Sequence, residues 1–107
     1  MAETCAEAFE AMNDRFNADA AAGLNAVFQY HIEGDGGGDW NCSISNGTLT
    51  VNEGVHDNPS VTLTMAASDF MDLINGKLNG QMAFMTGKLK IAGDISLAMK
   101  LGSIFSL

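Results

Sequence analysis

Several residue types that mark particular kinds of protein are scarce in this chain of 107 residues. Its two cysteines, Cys5 and Cys42, are too few for a disulfide framework and lack metal-ligand spacing, so we expect reduced thiols, with Cys42 buried. Five basic residues stand against thirteen acidic ones, and a net charge of -8 argues against a nucleic-acid partner. No apolar run reaches the roughly eighteen residues that suggest a membrane span.

Recognisable catalytic and nucleotide-binding motifs are also missing. The glycine-rich segment Gly34–Asp39 ends in an aspartate and joins two predicted strands, so it is a turn and does not match a dinucleotide-binding loop. The two histidines, His31 and His56, have no paired histidine at helical spacing and no serine-nucleophile motif nearby. We therefore predict no catalytic residue, no metal site and no cofactor, with an enzyme using His31 or His56 as an alternative.

Charge is distributed unevenly along the chain. The first sixty residues contain ten acidic residues against Arg15 alone, whereas four lysines face three aspartates from Val61 onward. These lysines fit either a solvated face or a positive mouth for an acidic headgroup. The N-terminal segment MAETCAEAFEAM carries acidic residues where a secretory signal needs a basic region, so we expect a cytoplasmic location.

Alternating apolar residues predict five strands, each with one apolar face. These alternating residues are Leu24, Ala26, Phe28, Tyr30, Ile32, Trp40, Cys42, Ile44, Leu49, Val51, Val61, Leu63, Met65, Leu89 and Ile91. Asn46–Gly47 is a strong signal for a two-residue hairpin turn. With that turn Ile44 pairs with Leu49 and Cys42 with Val51, which brings all four side chains to one face.

Helical spacing and capping residues predict helices at both ends of the chain and between strands. Thr4–Glu7 has the capping-box pattern, Ser68 is a candidate cap for a helix ended by Asn75–Gly76, and Asp94 is a candidate cap for a terminal helix. A further short helix is expected over Asn79–Thr86. The apolar stripes of the first two helices contain Phe9, Met12, Phe16, Phe70, Leu73 and Ile74.

These elements predict a two-layer α+β domain over residues 1–107, with one mostly antiparallel five-stranded sheet covered by helices on one face. The last thirty residues add more apolar side chains than one helical layer needs, and five of the seven methionines follow residue 60. Such residues are either ordinary core or the lining of an adaptable cavity. Because exposed apolar surface is unfavourable, we expect core, a partner or a ligand to cover it.

The segment SDFMDLINGKLNGQMAFMTGKLKIAGDISLAMKL, residues 68–101, closely resembles the C-terminal half of the sterol carrier protein 2 domain family. The upstream stretches FQYHIEGDGGGDWNCSISNGTLTV and PSVTLTMAASDF keep the strand order of that family. The resemblance therefore extends over nearly the whole chain. It departs at Gly80, where the family commonly has proline, and at the end SIFSL, which lacks a peroxisomal address.

The resemblance implies a non-enzymatic lipid-binding protein with a hydrophobic tunnel for a sterol, fatty acid, fatty acyl-CoA or phospholipid, and transient membrane contact. Carried over to this sequence, the lipid-binding residues would be Phe70, Ile74, Gln81, Met82, Phe84, Met85, Leu97 and Leu101. Domains of this family also occur as accessory parts of larger enzymes. The alternative is therefore an interaction or dimerisation module that presents an apolar substrate to a partner enzyme.

Overall fold

The computed structural model describes residues 4–105 as six helices and five strands. Residues 1–3 and 106–107, which include the last two letters of the SIFSL end, lie outside this range. The helices are α1 (Cys5–Glu10), α2 (Met12–Arg15), α3 (Ala67–Ile74), α4 (Gly80–Met85), α5 (Ile95–Met99) and α6 (Leu101–Phe105). The strands are β1 (Ala26–Glu33), β2 (Gly38–Ser45), β3 (Thr48–Glu53), β4 (Val61–Ala66) and β5 (Leu89–Gly93).

All five strands form one open sheet in the order β3-β2-β1-β4-β5. The pairs β1–β2, β2–β3 and β4–β5 are antiparallel, whereas β1 and β4 run parallel at the middle of the sheet. The mostly antiparallel, five-stranded α+β fold predicted from the sequence is therefore confirmed. β5 is an edge strand, so one of its sides is not covered by another strand.

The hairpin between β2 and β3 has the register predicted from its turn. Ile44 pairs with Leu49 and Cys42 with Val51. Asn46 and Gly47 have φ values of 53° and 75°, which is the backbone conformation that a two-residue turn between twisted strands requires. The turn residues therefore determine which side chains of both strands face the helices.

One face of the sheet carries most of the buried apolar side chains. On this face the buried strand residues are Ala26, Phe28, Tyr30, Ile32, Trp40, Cys42, Ile44, Leu49, Val61, Leu63, Met65 and Leu89. Helix α6 covers one end of the face, where Phe105 meets Phe28 edge-on at 5.8 Å between ring centroids. On the opposite, polar face, the buried Gln29 amide donates to the Gly54 carbonyl and accepts the His56 N–H, which holds the loop after β3.

Four aromatic rings meet in the core, and we name Phe9, Tyr30, Trp40 and Phe70 the aromatic cluster. Phe9 stacks on Trp40 at 4.6 Å and on Phe70 at 5.0 Å between ring centroids. Tyr30 meets Phe9 edge-on at 5.1 Å. The rings come from α1, β1, β2 and α3, so their packing joins the helical layer to the sheet. Each pair contributes about 0.5–1.5 kcal/mol beyond the burial of its area.

The predicted first helix is present but is divided into α1 and α2 at Ala11. Its predicted start is confirmed, because the Thr4 hydroxyl oxygen accepts the Glu7 N–H at 3.1 Å. At the end of α2, the Arg15 guanidinium donates to the Ile74 carbonyl at 2.9 Å. This bond ties α2 to the C-terminal end of α3, where unpaired helix carbonyls favour a cation.

Two other helix predictions need correction. The sequence predicts Ser68 as the cap of α3, which is wrong: the helix begins at Ala67, and Ala66 occupies the cap position without a side-chain bond. β4 leads directly into α3, so no loop residue is left to serve as a cap. The single terminal helix predicted after Asp94 is divided at Lys100 into α5 and α6.

Candidate functional site

A mainly apolar groove lies beside the edge strand β5, among α4, α5 and α6. Its volume is about 410 Å³, within the range of roughly 300–1,000 Å³ typical of small-molecule sites. The lining residues are Leu73, Asn79, Gly80, Gln81, Phe84, Met85, Leu89, Ile91, Ala98, Met99, Leu101 and Gly102. Asn79 and Gln81 are the polar side chains in this set, so the wall offers few hydrogen bonds to a guest.

Side-chain caps begin α4 and α5, the helices that precede and follow β5 in the chain. The Asn79 side-chain oxygen accepts the Gln81 N–H at 2.8 Å at the start of α4. The Asp94 carboxylate accepts the Ser96 N–H at 3.0 Å at the start of α5. Each cap satisfies a backbone N–H that has no partner within its helix. The caps thus determine where the two helical walls of the groove begin.

Three large lining side chains are exposed, and we name Phe84, Met85 and Met99 the groove rim. Their exposed fractions are 43%, 70% and 64%. Covering apolar surface is favourable by about 25 cal/mol per Å². Methionine side chains also adapt to guests of different shape, because they are unbranched and polarizable. The rim is therefore suited to close over an apolar molecule.

Charged residues flank groove residues in the sequence without forming the groove wall. Lys88 directly precedes β5, and Lys100 separates α5 from α6. Asp94 is also exposed, and hydrogen bonds from the Ser96 hydroxyl and then from backbone N–H groups hold the pKa of its carboxyl below the ordinary value. Charged residues of both signs therefore lie close in the sequence to the uncharged residues of the groove wall.

Four of the eight predicted lipid-binding residues lie together in the groove wall: Gln81, Phe84, Met85 and Leu101. The first three come from α4, and Leu101 begins α6. Gln81 is exposed and supplies the amide that the family resemblance suggested as a polar contact. Their contact with lipid stays a prediction.

The other four predicted residues lie elsewhere. Phe70, Ile74 and Leu97 are buried in the core, and Met82 is exposed on α4 outside the groove wall. Phe70 belongs to the aromatic cluster. A guest in the groove would reach the three buried residues only by extending inward beneath α3 and α5.

A second cavity, of about 370 Å³, lies at the other end of the helical layer. Its lining residues are Ala6, Phe9, Glu10, Asn13, Trp40, Val51 and Glu53. Phe9 and Trp40 belong to the aromatic cluster, whereas Glu10 and Glu53 bring two exposed carboxylates to the opening. Because like charges repel, this cavity is a poor place for an acidic headgroup.

The histidines and cysteines lie outside both cavities. His31 Nδ1 is 2.6 Å from the Asp39 carboxylate on the polar face of the sheet, and this hydrogen bond raises the pKa of His31. His56 lies in the loop after β3. Cys5 and Cys42 are buried free thiols, and burial raises the pKa of Cys42 to about 12. Within residues 4–105, no three His, Cys, Asp or Glu side chains are grouped as metal ligands.

Sequence reasoning missed several residues that line the groove and the second cavity. Ala98 and Met99 of α5 line the groove, whereas Leu97, the residue predicted on that helix, is buried in the core. The division of the predicted terminal helix at Lys100 has no signal in the sequence. Glu53 lines the second cavity, and the sequence could have indicated it, since the predicted hairpin register places it beside Trp40.

No helix within the described part of the chain is long and apolar enough to cross a bilayer. The family model for the SCP-2 sterol transfer family matches residues 6–106. Hydroxysteroid dehydrogenase-like protein 2 of Mus musculus is 36% identical over 101 residues, which cover 94% of this chain and 21% of that protein. The chain therefore spans about a fifth of the length of that relative.

Two solved structures show the same arrangement in different settings. The sec-alkylsulfatase Pisa1 from Pseudomonas sp. matches with a TM-score of 0.75 and 27% identity, over 92% of this chain and 15% of that one. The palmitated SCP2L2 protein of Aedes aegypti matches with a TM-score of 0.69 and 27% identity, over 92% of this chain and 94% of that one. The fold thus occurs both within a large protein and as almost all of a small one.

Proposed function

Because this chain belongs to the SCP-2 sterol transfer family, we propose that it is a non-enzymatic protein that binds and transfers lipid, holding one apolar molecule in the groove beside β5. The observation that carries the proposal is the apolar groove of about 410 Å³ with its exposed rim, found in a chain of this family. The palmitated state of the Aedes aegypti relative supports a fatty acyl guest. Sterols, fatty acyl-CoA and phospholipids belong to the same proposed class.

Binding in this proposal is driven by removal of hydrocarbon from water. Each buried methylene contributes about 0.8 kcal/mol. The guest would cover the groove rim and lie against Leu89 and Leu101, while Gln81 offers its amide to a polar group. Release in this proposal requires α4 and α5 to move away from β5. Helices of six and five residues have little stability of their own, which favours such movement.

Exchange of lipid with a membrane is part of the same proposal. The groove rim would make the first apolar contact, and Lys88 and Lys100 would meet anionic headgroups. We also propose that the protein is cytoplasmic, as predicted from the sequence. Fractionation of cells that express the chain with a small epitope tag tests that location directly.

The first experiment asks whether the purified protein carries lipid. Solvent extraction under denaturing conditions, followed by mass spectrometry, is expected to recover a fatty acid or phospholipid. The emptied protein is expected to bind a fluorescent fatty acid. Absence of extractable lipid together with absence of fluorescent-probe binding would contradict the proposed function.

A matched pair of variants tests whether the groove is the binding site. Ala98→Phe places a large side chain in the groove wall, and we expect roughly tenfold weaker binding of the fluorescent fatty acid, equivalent to about 1.4 kcal/mol. Ala6→Phe makes the same change in the wall of the second cavity and is expected to leave binding unchanged. Equal loss in both variants would show that the groove is wrongly assigned.

A second function is that of a module presenting an apolar substrate to a partner enzyme. It is favoured because this chain covers only a small part of the length of two larger proteins that it resembles. In that case the groove rim would be a protein contact. The isolated chain would then dimerise or aggregate whether or not lipid is present. Light scattering that finds a monomer in both conditions favours the carrier.

A further inference from the structure

The hydroxyl group of Tyr30 is a buried hydrogen-bonding group without a partner among residues 4–105. Tyr30 is 3% exposed and extends from β1, the central strand of the sheet, into the aromatic cluster. Burial, and then the neighbouring Cys42, raises the pKa of Tyr30 well above its ordinary value, so the group is a neutral donor. Buried tyrosine hydroxyls usually have a partner, which makes this one a feature to explain.

The surroundings of Tyr30 do not supply that partner. Phe9 and Phe70 meet its ring edge-on at 5.1 and 6.1 Å between centroids. The thiol of Cys42, which influences the pKa of Tyr30, is a weak acceptor and forms no hydrogen bond with the hydroxyl. A buried water normally needs two to four polar partners, and this apolar environment offers too few. An oxygen atom carried in by a guest would satisfy the hydroxyl.

Helix α3 links Tyr30 to the groove wall. Phe70 packs against Tyr30, and Leu73, three residues later on the same helix, forms part of the groove wall. One helical turn spans about 5.4 Å. A guest that extends inward from the groove along this face of α3 would meet Phe70, one of the predicted lipid-binding residues, before Tyr30.

We propose that Tyr30 recognises the inner end of the lipid by donating a hydrogen bond to an uncharged hydroxyl or carbonyl oxygen. This inference rests on the proposed function, since the hydrocarbon part of the guest fills the groove. An ionised carboxylate does not fit at this position, because the aromatic cluster offers two neutral donors, the Tyr30 hydroxyl and the Trp40 indole N–H, and no cation. A fatty acid would instead leave its carboxylate at the groove mouth, near Lys88 and Lys100. Apolar alcohols and esters are therefore the guests that Tyr30 selects.

The chain contains a single tyrosine, so its vibrational spectrum reports on this hydroxyl alone. The ratio of the two bands in the tyrosine Raman doublet depends on hydrogen bonding of the phenol. Dodecanol is expected to change the ratio, whereas dodecane and laurate, which bring no uncharged oxygen to Tyr30, are expected to leave it unchanged. Dodecanol that displaces the fluorescent fatty acid without changing the doublet would overturn the inference and leave the proposed function intact.

A pair of variants gives an independent measurement. Tyr30→Phe removes the hydroxyl and keeps the ring, and we expect roughly fivefold to tenfold weaker binding of dodecanol with unchanged binding of dodecane. The empty variant is expected to unfold at the same or a higher urea concentration, because an unsatisfied group has been removed. Ser43→Ala removes a hydroxyl from the opposite face of the sheet and is expected to change neither affinity. Equal dodecanol affinity in Tyr30→Phe and the unchanged protein would refute the role of Tyr30.

Discussion

The aromatic cluster and the groove rim are both built from large apolar side chains, yet they differ completely in exposure. Every ring of the cluster is at most 8% exposed, whereas every rim side chain is at least 43% exposed. The cluster lies between α1 and α3 on one side and the centre of the sheet on the other. The rim lies on α4 and α5, beside an edge strand, where no further element of residues 4–105 covers it.

Apolar composition alone therefore does not identify a binding site. The cluster is almost completely buried between helices and sheet, so its apolar surface stabilises the fold. The rim has protein on one side, so its apolar surface remains available to a guest. The two cavities support the same conclusion, since they are similar in volume but the second cavity has two carboxylates at its opening.

Truncating one side chain in the core and one in the groove rim tests the contrast between these regions directly. Phe70→Ala is expected to lower the free energy of unfolding by about 3–5 kcal/mol, because it opens a cavity among stacked rings. Met85→Ala, at a side chain that is 70% exposed, is expected to change it by less than about 0.5 kcal/mol. Urea unfolding followed by circular dichroism measures both. A loss in Met85→Ala as large as that in Phe70→Ala would show that the rim belongs to the core.

A smaller effect is expected from loss of the cap that begins the helical wall of the groove. Asn79→Ala removes the side-chain oxygen at the start of α4 and should lower the free energy of unfolding by about 1 kcal/mol. Asn79→Asp keeps an acceptor oxygen at the same place and serves as the control. If both variants lose equal stability, the cap is not what holds α4 beside β5.

The smallest effect on stability is expected at the polar face of the sheet, outside both the aromatic cluster and the groove rim. The hydrogen bond to Asp39 raises the pKa of His31 above its ordinary value of 6.5 in the folded protein. The stabilisation from this pair is therefore fully present below about pH 6.5 and is lost as the pH rises through the pKa of the folded state. Asp39→Asn is expected to lower the pKa of His31 in an NMR titration and to leave lipid binding unchanged. A His31 pKa that is the same in both proteins would contradict the assignment.

The sheet was predictable because its signals are local and repeat every second residue. Asn46–Gly47 determined a register that the structure confirms, and the β4 alternation correctly marked Leu63 and Met65 as buried. The groove was predictable only in part, because helical spacing does not reveal the division of the terminal helix at Lys100. Contacts between distant residues, such as the stacking of Phe9 on Trp40, leave no pattern in the sequence.

The parallel pairing of β1 with β4 has a consequence for the order in which the molecule assembles. Phe28 pairs with Val61 across the whole β2–β3 hairpin, so the chain must close a long loop before the middle of the sheet exists. We expect the hairpin to form early and β4, with everything that depends on it, to follow. Pulse-labelled hydrogen exchange would then find β2 and β3 amides protected before those of β5. A newly made chain would form its hairpin first and the groove beside β5 last.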